Sequence, residues 1–117
     1  MSHTLLMMAE ATAVEWTSAV TAPEEATELV SACFEHDTNR LLIDARVLPP
    51  AFFALRTRFA GEFLQKLQTY RLRTAVLMAP DADHGERFAE YLHEARRGHF
   101  CRFFTAREEA LAWLARE

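Results

Sequence analysis

Apolar positions recur along the chain with two periods, near two residues in some stretches and near three and a half in others. Leu5 to Ala9 and Ala13 to Ser18 are short β-prone runs separated by Glu10, Ala11 and Thr12. That is the pattern of a hairpin, although no Asn-Gly or Asp-Gly pair fixes its turn. Ala26, Leu29, Val30, Cys33 and Phe34 then fall at helical spacing behind Thr21 and Glu24, a capping-box pair, with Pro23 in the first turn. These predict a helix ending near His36. Arg40 to Asp44 predicts a short strand that closes on an acid. The nearly continuous apolar run from Leu72 to Met78 predicts a central strand, buried on both faces of a parallel sheet. Between those strands lies "ARVLPPAFF", whose two prolines exclude a central strand or a helix interior, so it is a loop or a short helical turn. A long helix follows, from Phe52 to about Tyr70. Asp83 and Glu86 cap a third helix carrying Phe88, Tyr91, Leu92 and Ala95, with Gly98 where a left-handed C-terminal cap belongs. His99 to Phe104 reads as a last strand, and Thr105 with Glu108 caps a final helix bearing Ala110, Leu111 and Leu114.

The order is ββαβαβαβα. Short connections between alternating strands and helices demand right-handed crossovers. The expected fold is therefore a single α/β domain with a mixed, mostly parallel five-stranded sheet and an antiparallel N-terminal β-hairpin. A length of 117 residues suits one core, and half-hydrophobic composition with 26% charged residues is that of a folded globule.

One position resists this pattern. With Phe52 at 0°, the apolar stripe of the long helix runs from about 300° to 120°, and Arg56 falls inside it at about 40°. A buried guanidinium needs a carboxylate, or must lie beyond the sheet edge with its stem over apolar surface. Asp44, at the end of the preceding strand, is the natural partner. Alternatively, Asp44, Arg56, Thr57 and Arg58 form a ligand site, since strand C-terminal ends facing helix N-termini favour anions.

Charge and chemistry narrow the remaining classes. With 13 basic and 17 acidic residues the net charge is −4, and the basic residues are scattered, so a nucleic-acid partner is not expected. Cys33 and Cys101 lie far apart without zinc-site spacing and read as thiols in a reducing cytosol. The N-terminal "MSHTLLMMAEA" carries an apolar run too short for a signal peptide or a membrane span, so a cytoplasmic protein with no membrane association is expected. The five histidines, at 3, 36, 84, 93 and 99, show no i, i+4 pair and no HExxH, and read as surface residues rather than metal ligands. Gly61, Gly85 and Gly98 are dispersed, without a phosphate-binding loop, and no cofactor is expected. Glu62 and Lys66 read as a surface ion pair. No Ser or Cys nucleophile stands beside a His in a recognisable motif, which leans the reading away from an enzyme.

The run "PPAFFALRTRFAGEFLQKLQTY", with the block Phe52 to Lys66 at its centre, resembles the signature of a bacterial family known as domain of unknown function 4180. "AVLMAPDA", "HEARRG" and "FFTAREEALAWL" continue the resemblance, which covers most of the chain from Arg40 onward. The element order also looks like the STAS and SpoIIAA-like architecture of anti-sigma-factor antagonists. In signalling members of that group the loop after the central strand carries a phosphorylated Ser, but here it reads "DARVLPPAFF" and has none. Where the unknown-function family commonly flanks its Phe-Phe pair with acids, this chain has Ala51 and Ala54.

Two functions follow as expectations. The first is a non-catalytic regulatory or protein-interaction module, engaging a protein partner or a second copy through the segment from Asp44 to Arg58. Its interface residues would be Leu48, Phe52, Phe53 and Gly61, because an apolar loop facing water is either a lid on the core or an interface, and a helix-interior Gly invites close approach. The second is a protein, conceivably an enzyme, that binds a small anion or other ligand around Asp44, Arg56, Thr57 and Arg58.

Overall fold

A computed structural model describes residues 2–8, 11–81, 83–95 and 100–116. Five strands, β1 His3–Met7, β2 Thr12–Trp16, β3 Arg40–Asp44, β4 Arg73–Leu77 and β5 Cys101–Phe104, form one sheet in the order β1-β2-β3-β4-β5. β1 and β2 pair antiparallel, with Leu5 opposite Val14, and every other neighbouring pair is parallel. The expected fold class is therefore observed. The hairpin strands start one or two residues earlier than the sequence suggests, and Glu10 of the expected turn lies outside the described residues. β4 is buried on both faces as expected, with Thr74, Ala75 and Val76 almost fully inaccessible, although β3 occupies the middle of the sheet.

The helices are α1 Ala26–Glu35, α2 Pro50–Phe53, α3 Phe59–Thr69, α4 Glu86–Ala95 and α5 Arg107–Ala115. Because the parallel strands succeed one another in sheet order, right-handed crossovers put α1, α3 and α4 on one face. There Phe52, Phe59, Phe63 and Phe88 pack with Val14, Leu41, Ile43 and Val76 in the larger core. α5 follows the last described strand and covers the other face, where Ala110, Trp113 and Leu114 sit on Ala13, Leu42 and Ala75. Small residues on the sheet make room for the indole.

Two arginines tie α5 down at its C-terminal end. The Arg40 Nε donates to Leu114 O at 2.6 Å, and Arg73 donates from Nε and Nη2 to Trp113 O at 3.1 and 2.7 Å. Unpaired carbonyls at a helix C-terminus are good acceptors for cations, and Arg73 also lies 4.1 Å from the Trp113 ring centroid. Partial burial, then the neighbouring Arg40, Arg116 and Arg102, lowers the Arg73 pKa from its ordinary value.

Several caps differ from expectation. Glu25, not Glu24, closes the entry to α1, accepting from the Thr21 and Ala22 amides at 2.6 and 3.0 Å. Pro23–Glu25 forms a 3-10 turn ahead of the helix, so the capping register slips by one residue. α5 begins after Ala106 without a side-chain cap, so the Thr105 and Glu108 box does not form. Asp83 Oδ1 does accept from the Gly85 amide at 2.9 Å just before α4. Gly98 lies outside the described residues.

Helices α1 and α3 end without glycine. Asp37 and Arg71 take the left-handed conformation at φ 51 and 57. The amide two residues beyond each cap returns to the last turn, Thr38 to Cys33 O and Leu72 to Leu67 O, both at 3.0 Å. This six-to-one bond is the Schellman pattern usually built on Gly.

Candidate functional site

The segment from Asp44 to Arg58 is the part of the fold most unlike its sequence pattern. Phe52 to Tyr70 is not one helix. The chain runs through a 3-10 turn at Ala45–Val47, the four residues of α2, a second 3-10 turn at Leu55–Thr57 and a left-handed Arg58 at φ 64 before α3 begins. Thr57 holds the break together. Its hydroxyl donates toward Ala51 O and Ala54 O at 2.6 and 2.8 Å and accepts the Phe59 amide at 3.2 Å, just ahead of α3.

That break answers the anomaly at Arg56. Interrupting the helix turns the residue out of the stripe into solvent, so the desolvation of a buried cation is avoided by backbone geometry rather than by an ion pair. The expected tie to Asp44 is absent. Asp44 instead pairs with Arg46, Nη2 to Oδ2 at 3.1 Å, and accepts the Arg46 amide at 2.9 Å. Of the four ligand-site candidates, Asp44 and Thr57 are thus committed to local structure, while Arg56 and Arg58 are exposed.

The interface candidates divide in the same way. Leu48 is 7% exposed and Phe52 is fully buried, so neither can meet a partner without opening the core. Phe52 makes edge-to-face pairs with Phe53, Phe59 and Phe63, at centroid distances of 5.1, 6.2 and 6.3 Å. Phe53 is half-buried, stacked on His84 at 3.9 Å and edge-on to Phe88 at 5.2 Å. The Pro-Pro-Phe-Phe stretch is therefore a lid pinned by Phe52. Gly61 is on the open face of α3, with nothing within 4 Å of where a Cβ would stand, so none of the described elements requires glycine there.

Beyond the lid, Leu55 forms one wall of a groove of about 630 Å³ whose other side is α4, through Arg87, Glu90, Tyr91 and Glu94. Burial pushes the Tyr91 hydroxyl pKa up to about 12. The groove escapes sequence reading because its two walls are separated by β4 and become neighbours only when both helical segments pack on one sheet face.

Charged groups gather at the strand C-terminal ends of the opposite face. Arg107 clamps Glu15 with two bonds of 2.9 and 2.7 Å, and this pairing holds the Glu15 carboxyl below its ordinary range. The expected Glu62 and Lys66 ion pair is not formed. Lys66 Nζ instead lies 5.9 Å from the Tyr70 ring centroid. Cys33 and Cys101 are free, and burial pushes both thiols up to about 12. No helix among the described residues is long and apolar enough to cross a membrane.

Fold and groove together define an α/β domain with a mixed, mostly parallel sheet, a helical break in place of a phosphate loop, and a surface groove beside that break. The chain belongs to the family described as domain of unknown function (DUF4180), whose sequence profile matches residues 8–114. The match extends further toward the N-terminus than the motifs from Arg40 onward imply. Neither a curated protein nor a solved structure matches the chain.

Proposed function

We propose that this protein is a non-catalytic interaction module that pairs with a second copy of itself through the turn Leu55 to Arg58 and the groove wall of α4. With it go the STAS-like architecture and bacterial origin that the resemblance implied and the cytoplasmic setting expected from the sequence. The observation supporting it is the charge layout of one patch: the exposed Arg56 and Arg58 stand on the turn that walls the groove, and Glu90 and Glu94 line its far side. A two-fold pairing brings each patch against its own copy, so the two arginines of the turn meet Glu90 and Glu94 twice, beside Arg87 and His93 of the same helix face. Leu55 and Tyr91 supply apolar surface between the charges. The rigid lid beneath Leu55 limits the ordering cost of association.

Light scattering on the wild type, the double variant Arg56→Glu/Arg58→Glu, and that variant combined with Glu90→Arg/Glu94→Arg tests the reading. The expected result is a dimer, a monomer and a restored dimer, in that order. A monomeric wild type, or a dimer indifferent to charge reversal, overturns it.

A further inference from the structure

The histidines that the sequence assigned to the surface include two that the fold brings together. His3 begins β1 and His36 caps the C-terminal end of α1, and their Nε2 atoms lie 3.0 Å apart. Glu35 completes the group: one ligand atom from each of the three residues lies within 4.8 Å of the other two. The two imidazole nitrogens and one carboxylate oxygen come from opposite ends of a segment of more than thirty residues, so spacing along the chain could not disclose them.

The His3 ring is held in place. His3 Nδ1 is 3.2 Å from Ser2 Oγ, and its ring lies nearly parallel to Trp16, with centroids 6.0 Å apart and planes 5° from each other. Metal-binding imidazoles are typically oriented in this way, by a polar partner on the other ring nitrogen. The backbones are fixed as well. Ser2 O accepts the Thr17 and Ser18 amides at 2.9 and 3.2 Å, and His36 precedes the left-handed Asp37 that terminates α1.

We propose that His3, Glu35 and His36 bind a divalent transition-metal ion of the Zn²⁺ class. Mixed imidazole and carboxylate donors suit such ions, whereas Ca²⁺ and Mg²⁺ favour all-oxygen sites. An ion about 2.1 Å from each Nε2 sees the two nitrogens at an angle of about 90°, and separating them by about 0.4 Å reaches the tetrahedral angle. Without an ion, the pair shares one N–H as a hydrogen bond along the line between the two nitrogens, and an ion replaces that proton as the rings turn and part. Three protein ligands leave a coordination position for water or a further donor. The ion clamps the edge strand β1 to the end of α1, so its binding raises stability through preferential affinity for the folded chain.

The test is titration of tag-free, EDTA-treated protein with Zn²⁺ by calorimetry, with Co²⁺ as an optical reporter and melting followed by circular dichroism. The expected result is one equivalent of Zn²⁺ per chain, d–d bands from Co²⁺, and a raised melting midpoint. His36→Gln should weaken Zn²⁺ affinity more than about 100-fold. Glu35→Gln, at an exposed position, should also weaken it without disturbing the fold. Absence of saturable binding, or unchanged affinity in both folded variants, overturns the site.

Discussion

Residue by residue, the most instructive position is Arg56. A helical wheel treats the backbone as given, and on that wheel the guanidinium is buried. Thr57 and Arg58 alter the backbone instead, and the side chain goes to water. No propensity rule marks Arg58, a non-glycine residue in the left-handed region, as a helix start. The same limit hid Asp37 and Arg71 as helix terminators. Glu15 illustrates a tertiary effect that can be measured. Its partner Arg107 is 92 residues away and 44% exposed in its side chain, so solvent screening limits the pair to about 1 kcal/mol. Because Arg107 depresses the folded-state pKa of Glu15, this stability is fully present above the ordinary value of 4.5 and is lost as pH falls below it, through the folded-state value. Urea denaturation of the wild type and Glu15→Gln across that range should show a gap at neutral pH that closes in acid.

Among the elements, the lid is held by one side chain. Phe52 is fully buried and ringed by Phe53, Phe59, Phe63 and Phe88, so Phe52→Ala should cost about 3–5 kcal/mol in chemical denaturation. The exposed neighbour Arg56 should tolerate Ala with little change. Comparable losses at the two positions would mean that the turn, not the aromatic cluster, holds the lid. The apolar loop that sequence reading left as lid or interface is thus a lid at Phe52. Its outward edge at Leu55 is what remains for a partner.

Across the whole molecule, helices pack on both faces of the sheet and both cysteines are withdrawn from chemistry. With their pKa values pushed to about 12, Cys33 and Cys101 should react slowly with a thiol reagent at pH 8 in native protein and rapidly once urea unfolds it. The thiolate is the reacting species. Fast labelling of native protein would contradict the packing described. Unequal native rates would report local opening near the faster-reacting site, since groups in one domain need not be exposed together.

Sequence by itself determined the elements whose cause is local. Strand β3 matched residue for residue because five consecutive residues carry its apolar pattern, and the alternation of strands and helices constrained the crossovers to one hand. The family match followed from motifs of the same kind. Tertiary structure decided whatever depends on residues far apart in the chain. It placed α5 on the second face, paired Asp44 with Arg46 rather than Arg56, opened the groove between Leu55 and α4, and brought His3 to His36. The physical reason is that side-chain period reports which face a residue prefers, whereas ion pairs, grooves and metal donors depend on where separate segments meet. That meeting is governed by sheet order and packing, to which no single stretch of sequence is privy.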